Sequence, residues 1–259
     1  MDLGINGRSA LVLGASQGLG QAIAKALAAE GVNVTLAARS TDKLTQTADE
    51  CRAMGVSADV MALDLNSAES VSALIAHLNN NPVDILLSNS GGPPPGTVPG
   101  VDPAAWGTHF NAMVLNQIQI IEAALPGMRK NGWGRVLAVS SSGIQIPIPH
   151  LAISNTLRSS LAAYCKTLAG QVACDGVTVN LLLPGRVDTP RVQSIDVNAA
   201  SKQGISADQA RANSIATIPA GRYGRPEEFG AVAAFYASDL AGYLTGNQIR
   251  IDGGLIRAL

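Results

Sequence analysis

The sequence predicts an α/β protein in which crossover helices join the strands of a parallel sheet. Strand-like and helix-like segments alternate along the chain, which is the pattern that such connections produce. The composition agrees, because 27 glycines, 47% hydrophobic residues and only 3% aromatic residues suit closely packed helices and tight turns. With 259 residues, no internal repeat and no low-complexity tract, we expect one domain over residues 1–259.

The predicted elements follow in order. A short apolar run at residues 10–13 stops at Gly14, and an alanine-rich helical pattern runs from residue 19 to residue 30 before Gly31, a natural helix terminator. Strands are predicted at residues 32–37, within residues 56–63, and at residues 85–87. Further strands at residues 135–139, 177–183 and 247–251 bring the total to seven, with long helices at residues 103–131 and 154–174.

Two regions of the chain are predicted to be irregular. Residues 93–99 (Pro-Pro-Pro-Gly-Thr-Val-Pro) are predicted to form a loop that its prolines make stiff. It is not a domain linker, because helical patterning resumes soon after Trp106. Residues 187–217 are polar, and we expect short helices there over the edge of the sheet. The two regions are expected to shape a substrate pocket, with residues 187–217 as its lid.

Charge and composition disfavour several classes of function. The 18 basic and 19 acidic residues give a net charge of −1, so no basic field is available for nucleic acid or anionic lipid. No apolar stretch approaches the ~20 residues that span a bilayer. The N-terminus lacks a signal-peptide pattern and the three cysteines show no paired spacing, so we expect a cytoplasmic protein with reduced thiols. The widely separated histidines predict no metal site, and the serine run lacks the G-x-S-x-G pattern of a hydrolase.

A glycine-rich turn lies between the first predicted strand and the first predicted helix. Glycines permit close approach of a ligand to the backbone, and amides at a helix N-terminus attract a pyrophosphate. Such a turn alone is also explained as a tight strand-to-helix connection. The residues predicted to contact a dinucleotide here are Gly14, Ser16, Gln17, Gly18, Leu19 and Gly20.

Arg39 follows the second predicted strand, where an acidic residue would hold the ribose hydroxyls of NAD. An arginine at this position favours the additional phosphate of NADP instead. A solvated surface arginine is the alternative interpretation. NADP is therefore the predicted cofactor, with NAD as the alternative.

Four motifs in sequence order resemble those of the short-chain dehydrogenase/reductase family, with the 3-oxoacyl-ACP reductases nearest in overall pattern. They are the glycine turn, the run of residues 88–91 (Ser-Asn-Ser-Gly), the pair Pro184-Gly185, and residues 252–254 (Asp-Gly-Gly). Residues 221–228 are also typical of this family, so the resemblance covers essentially the full chain. It implies a single Rossmann-type, doubly wound domain with about seven parallel strands and helices on both faces.

The resemblance also implies further cofactor contacts. Asp64, with Leu65 beside it, matches the family's adenine-contacting aspartate, although a helix cap before Ser67 would also explain it. Residues after the fourth strand would line the adenosine ribose, and residues after the sixth would pass under the nicotinamide carboxamide. These residues are Asn89, Ser90 and Gly91, and then Pro184, Gly185, Val187 and Thr189.

The family's catalytic positions are only partly retained. Its serine falls on Ser141, but its tyrosine falls on Ser154, its lysine on Arg158 and its asparagine on Met113. Arg158 keeps a positive charge and several hydrogen-bond donors, so it is predicted to contact the nicotinamide ribose and to support catalysis. Ser154 carries a shorter hydroxyl that does not ionise near neutral pH.

A different group is therefore needed to deliver the proton to the substrate. His150 is expected one helical turn before Ser154, and histidine is a common proton donor in enzymes. We hypothesise that His150, or a water held by Ser141 and Ser154, is the donor. A loop histidine without catalytic function is the alternative.

Two functions remain open at this stage. The first is an NADP-dependent oxidoreductase with an altered active site that reduces a 3-oxoacyl-like ketone or oxidises a secondary alcohol. The second is a nucleotide-binding protein without efficient redox turnover, such as a sensor, a partner subunit or a scaffold. The expected partner is a small-molecule or acyl-carrier-linked substrate. The family resemblance also implies a homotetramer or homodimer, formed through the two long helices and the C-terminal strand region. Basic residues that could face an acyl carrier are Arg129, Lys130, Arg186 and Arg191, although an ordinary charged surface explains them equally well.

Overall fold

Seven parallel strands form one sheet in the computed structural model, which describes residues 1–258. The strand order is β3-β2-β1-β4-β5-β6-β7. Each predicted strand is present, the third one inside its predicted window. The strands are β1 (Ser9–Leu13), β2 (Asn33–Ala38), β3 (Ala58–Ala62), β4 (Ile85–Ser88), β5 (Gly134–Val139), β6 (Val177–Pro184) and β7 (Gln248–Ile251).

Helices connect successive strands and cover the sheet. The polar region of residues 187–217 forms two of them, as predicted, at Pro190–Gln203 and Ala207–Ala216. The helices are α1 (Gly18–Ala29), α2 (Thr41–Arg52), α3 (Ala68–Asn80), α4 (Pro103–Phe110), α5 (Asn116–Lys130), α6 (Ala152–Val172), α7 (Pro190–Gln203), α8 (Ala207–Ala216) and α9 (Pro226–Tyr236). No helix within residues 1–258 combines the length and the apolar character that crossing a membrane requires.

The sheet is buried on both faces. Alternate side chains of β1 enter opposite cores, because successive residues of a strand point to opposite sides. Leu11 and Leu13 pack on the side of α3, α5 and α6, whereas Ala10 and Val12 pack on the side of α1, α2 and α9. The prediction of a Rossmann-like α/β domain with helices on both faces is therefore confirmed.

The order of the strands determines where a ligand can bind. The chain reverses direction across the sheet between β1 and β4, and in such sheets the carboxyl ends of the strands at this point border a crevice. Gly14 follows β1 and Asn89 follows β4. A Cβ atom on Gly14 would lie only 2.6 Å from Asn89 Nδ2, so the two segments meet at this crevice.

The first long helix differs from the sequence prediction. Instead of one helix over residues 103–131, α4 and α5 are joined by a π-helical segment, Asn111–Leu115. The Gln117 side chain donates through Nε2 to the carbonyl oxygen of Met113 at 2.6 Å. A regular α-helix would offer that carbonyl the backbone N–H of Gln117, and a side chain that inserts into the helical hydrogen bonds is a known cause of such bulges.

The second long helix begins earlier than predicted. It covers Ala152–Val172 and continues as a short 3-10 turn, Ala173–Asp175. His150 precedes it with a φ of 61°, in the left-handed region that a helix cannot contain. His150 therefore lies in the loop before α6 and not one helical turn before Ser154.

Candidate active site

The glycine turn opens α1 at the carboxyl end of β1. Gly14 and Gly18 have φ angles of 70° and 62°, which side chains other than glycine rarely adopt. A Cβ atom on Gly20 would collide with the carbonyl oxygen of Gly14. Close packing thus explains Gly20. The backbone N–H of Gly14 donates to the carbonyl of Ala37 at 2.7 Å, so an anion at this turn would bind to the amides nearer the start of α1.

Two cations lie beside this turn. Lys43, on the first turn of α2, donates through Nζ to Gln17 Oε1 at 3.0 Å. Arg39 is exposed at the end of β2, close enough to Asp64 for its charge to favour the ionised carboxylate. Neither cation forms an ion pair with a residue of the described range 1–258. Lys43 was not predicted from the sequence, because nothing marks an exposed lysine on an ordinary helix until the fold brings it to the turn.

Asp64 is held in a turn after β3. Its Oδ1 accepts hydrogen bonds from the backbone and side-chain nitrogens of Asn66, at 3.0 and 3.1 Å. The backbone hydrogen bond from Asn66 is the main cause that lowers the pKa of Asp64. Helix α3 is capped instead by Ser67, which accepts from the backbone N–H of Ser70. Asp64 is thus not the cap of this helix, and its carboxylate stays charged at neutral pH.

The segment after β4 is held by one buried side chain. Ser88 donates to Gln117 Oε1 at 2.7 Å, and Gln117 Nε2 donates to Ser90 Oγ at 3.1 Å. This network holds the residues on either side of Asn89. Gly91 has open space around it, because no atom lies within 4 Å of a Cβ built there. Gln117 was not among the predicted site residues.

The segment after β6 reaches back to the glycine turn. Thr189 caps α7, its hydroxyl donates to the carbonyl of Val187 at 3.2 Å, and its side-chain carbons lie 3.5 Å from a Cβ built on Gly18. Gly185 has a packing explanation, because a Cβ atom there would lie 2.5 Å from the Cα of Asp252. Val187 is buried and Pro184 pairs with β7, so both help to position this segment.

Ser141 lies after β5, next to the start of α6. Its Oγ accepts a hydrogen bond from the backbone N–H of Gly143 at 3.0 Å. A Cβ atom on Gly143 would lie 3.3 Å from Ser141 Oγ and would collide with Asn155 Oδ1, which is adjacent to Ser154 in sequence. Asn155 also donates through Nδ2 to the carbonyl of Ile148 at 2.9 Å, which fixes the loop before the helix.

Ser154 and Arg158 form a hydrogen-bonded pair one turn apart on α6. Arg158 donates through Nε to Ser154 Oγ at 3.3 Å and through Nη1 to the carbonyl of Val139 at 3.1 Å. Burial and, secondarily, the positive charge of Arg191 lower the pKa of Arg158 to about 10. The guanidinium therefore remains cationic at neutral pH.

His150 differs from these residues in its surroundings. It is exposed, and its ring forms no hydrogen bond with any residue of the described part of the chain. Its backbone carbonyl accepts from the N–H of Gly96 at 2.8 Å, which ties the proline-rich loop to the start of α6. The geometry assigns His150 a role in loop structure, and its catalytic role remains a hypothesis.

Comparison with known proteins identifies the family. Residues 14–256 match the family described as enoyl-(acyl carrier protein) reductase. The chain belongs to the short-chain dehydrogenase/reductase family. Relatives include the 3-oxoacyl-[acyl-carrier-protein] reductase FabG of Vibrio cholerae, which is 29% identical over 255 residues, covering 98% of this chain and 99% of the relative. The oxidoreductase UcpA of Salmonella typhimurium is 32% identical over 255 residues, covering 96% of this chain and 95% of the relative.

A solved structure shows the same fold. The L-sorbose reductase of Gluconobacter frateurii, complexed with NADPH and L-sorbose, superposes with a TM-score of 0.94 at 28% identity and 100% coverage of both chains. That crystal structure contains NADPH, a dinucleotide of the kind that the glycine turn predicts for this short-chain dehydrogenase/reductase.

Of the basic residues predicted at the mouth of this short-chain dehydrogenase/reductase, Arg191 lies at the candidate site. Its Nη2 is 3.4 Å from a Cβ built on Gly92, and Arg158 Nη2 is 3.9 Å from the same point. Arg129 instead forms an ion pair with Asp175 at 2.6 Å. Among residues 1–258, no three histidine, cysteine, aspartate or glutamate side chains cluster as a metal site would require.

Proposed function

We propose that this chain is an NADP-dependent oxidoreductase that interconverts a ketone of the 3-oxoacyl type and the corresponding secondary alcohol, with an altered active site. One observation carries the proposal. The glycine turn, the Asn89 segment and Thr189 converge at one crevice, while Ser154 and Arg158 form a polar pair at the start of α6. Ser154 and Arg158 take the positions of the family's tyrosine and lysine.

The residues beside the glycine turn fit NADP. Lys43 contacts Gln17 and Arg39 follows β2, and two such exposed cations suit the phosphate that distinguishes NADP from NAD. The left-handed Gly14 and Gly18 leave the backbone open where a pyrophosphate would approach the N-terminus of α1. The structural relative from Gluconobacter frateurii was solved with NADPH, which supports the same choice.

When bound at the glycine turn, NADPH would supply a hydride to the carbonyl carbon of the substrate. Ser141 steadies the carbonyl oxygen by donating a hydrogen bond. Ser154 Oγ accepts from Arg158, so its own hydroxyl hydrogen is free to orient a water between Ser154 and Ser141. This water, or His150 through it, gives a proton to the substrate oxygen. The positive charge of Arg158 stabilises the negative charge that develops on that oxygen.

This arrangement predicts slow turnover. A well-placed general acid accelerates a reaction by about 10²–10⁴-fold, and a serine is a weaker acid than the tyrosine it replaces. The remaining catalysis comes from orientation and from the fixed charge of Arg158.

Thermal unfolding in the presence of NADPH or NADH tests the proposal. A ligand at about 100 times its dissociation constant adds roughly 2.7 kcal/mol of stability, so the transition rises clearly. We expect NADPH to stabilise the chain more than NADH, and expect Arg39→Ser with Lys43→Ser to remove the difference. Carbonyl substrates are then screened by NADPH consumption. Absence of any response to either nucleotide would contradict the proposal.

A second candidate is a nucleotide-binding protein without efficient redox turnover, acting as a sensor, partner subunit or scaffold. A specific observation favours it. Met113 stands at the position of the family's asparagine, and its carbonyl oxygen already accepts from Gln117 Nε2 at 2.6 Å. The resemblance implies that the family's asparagine helps to hold a water that relays protons. A water at the carbonyl of Met113 would have to compete with this hydrogen bond. Nucleotide-dependent stabilisation without NADPH consumption on any carbonyl compound would favour this second function.

A further inference from the structure

Two guanidinium groups converge above Gly92 at the candidate site. Arg158 reaches this point from α6 and Arg191 from the first turn of α7, and both Nη2 atoms lie within 4 Å of the position of a Cβ on Gly92. Because that position is empty in a glycine, the backbone leaves room between the two cations. An anionic oxygen at this point would lie near both guanidinium groups, which bind carboxylates through charge-assisted hydrogen bonds.

The charges around this point are unbalanced. The nearby charge of Arg191 disfavours the charged form of Arg158, as burial does. No carboxylate within residues 1–258 forms an ion pair with either arginine, although eight other ion pairs occur there. Arg191 is exposed, whereas Arg158 is partly buried, and a partly buried cation without a counter-charge is costly. A bound anion would remove the repulsion and supply the missing partner.

The position of the pair indicates the source of the anion. Arg158 also donates through Nε to Ser154 Oγ, so an anion on its Nη2 lies beside the hydroxyl assigned to proton transfer. The pyrophosphate of a dinucleotide has its own binding site at the amides of the glycine turn, residues 14–20. The arginine pair thus faces the reacting end of the crevice.

We infer that Arg158 and Arg191 bind the carboxylate of the substrate, which makes the substrate a free keto acid or hydroxy acid and not a carrier-linked thioester. The inference rests on the proposed function and narrows its substrate class. A thioester would place a neutral group between the two cations and leave both unpaired. A free 3-oxo acid pairs with both and keeps its ketone within reach of Ser154.

Calorimetric titration of acetoacetate and its neutral methyl ester tests this. The protein is saturated with oxidised NADP, which cannot reduce the ketone, and each titration is repeated without nucleotide. We expect acetoacetate to bind at least tenfold more tightly than methyl acetoacetate. Arg191→Gln removes this preference. Lys202→Gln, which deletes one positive charge near the other end of α7, leaves it intact.

Equal affinity for the acid and the ester, or no binding of the acid, overturns the inference. The inference is also overturned if the Arg191→Gln variant binds NADP at least tenfold more weakly and keeps its preference for the acid. That result would mean that Arg158 and Arg191 bind the cofactor's pyrophosphate. Failure of the proposed function looks different. In that case acetoacetate binds through Arg191, but NADPH neither stabilises the chain nor reduces the bound ketone.

Discussion

At the scale of single residues, Gln117 links the segment at the end of β4 to the helix that carries it. Its Oε1 accepts from Ser88 and its Nε2 donates to both Ser90 and the carbonyl of Met113. Because Gln117 is fully buried, loss of its amide would leave several polar groups without partners. The same side chain therefore holds the Asn89 segment and maintains the π-helical segment.

We propose that Ser154 limits catalysis. We expect Ser154→Tyr combined with Arg158→Lys to raise NADPH-dependent reduction of a 3-oxo substrate by about 10²–10⁴-fold, because the double variant restores a positioned general acid. The initial rate of NADPH consumption measures the effect. Ser160→Tyr, on the exposed face of the same helix, is the control and should leave the rate unchanged. A double variant that binds NADPH without turnover would favour the sensor or scaffold.

The spacing within motifs predicts which residues the fold brings together, as for Gly18 and Thr189, whose contact the structure shows. That Gly14, Gly18 and Thr189 bind a nucleotide stays a prediction. The sequence does not predict Lys43 or Gln117. Each acts through a partner that is distant in sequence or through a helical distortion that no local pattern reveals. Arg191 was noted only as a basic residue at the pocket mouth, because its proximity to Arg158 depends on how α7 packs against α6.

At the scale of helices, the contact between α1 and α9 depends on a glycine. A Cβ atom on Gly230 would lie 2.6 Å from the carbonyl oxygen of Ala22, so the two helices would have to separate. We expect Gly230→Ala to lower the free energy of unfolding by about 1–3 kcal/mol, as overpacking does. Urea denaturation measures this loss.

The matched control for this prediction is Gly170→Ala on α6. No atom outside its own helix lies within 4 Å of a Cβ there, so alanine should stabilise the helix by roughly 0.5–1 kcal/mol. Equal effects of the two substitutions would show that helix propensity, and not the contact between α1 and α9, governs position 230.

The attachment of α8 should depend on pH. Arg211 donates to both oxygens of Asp188, at 3.2 and 2.6 Å, and these hydrogen bonds lower the pKa of Asp188. A carboxyl group with a lowered pKa stabilises the fold above its unfolded pKa of about 3.9, and this stabilisation is lost as the pH falls through the folded value. Because the pair is partly exposed, we expect less than about 1 kcal/mol.

Urea unfolding of the natural chain and of Asp188→Asn, compared across the acidic range, measures that contribution. The difference in the free energy of unfolding should be largest near neutral pH and should shrink as the pH drops below about 4. Asp208→Asn, which changes an exposed carboxylate on the first turn of α8, is the control. A difference that stays constant across the range would contradict the proposed role of the ion pair.

Helix boundaries show what local patterns miss. The sequence predicts the central strands because each is a mainly apolar run bordered by turn residues. The edge strands β3 and β7 contain polar residues and are predicted from their place in the alternation of strands and helices. The sequence does not predict the π-helical segment, because a single wider helical turn hardly changes the spacing of hydrophobic residues along the chain. Nor does it predict the start of α6 at Ala152, because the left-handed backbone at His150 arises from the loop contact with Gly96.

At the scale of the whole molecule, a doubly buried parallel sheet brings distant segments to one edge. Residues that follow β1, β2, β4, β5 and β6 all meet at the carboxyl ends of the strands. Order along the chain therefore suffices to predict which residues share the crevice. It cannot predict which side chains touch there, because that depends on rotamers and on the packing of α6 and α7.

Assembly is the remaining property at this scale. We propose that the chain forms a homotetramer, or at least a homodimer, through its two long helices. Phe110 at the end of α4 and Leu115 in the π-helical segment are 42% and 40% exposed, and covering such side chains favours association.

We expect Phe110→Asp to shift the sedimentation profile toward smaller species, because burying a carboxylate in an apolar contact is costly. Val60→Asp, at a 41% exposed residue on the edge strand β3, is the control and should sediment as the natural chain does. A natural chain that sediments only as a monomer would exclude the assembly, and an unchanged Phe110→Asp profile would locate the contact elsewhere.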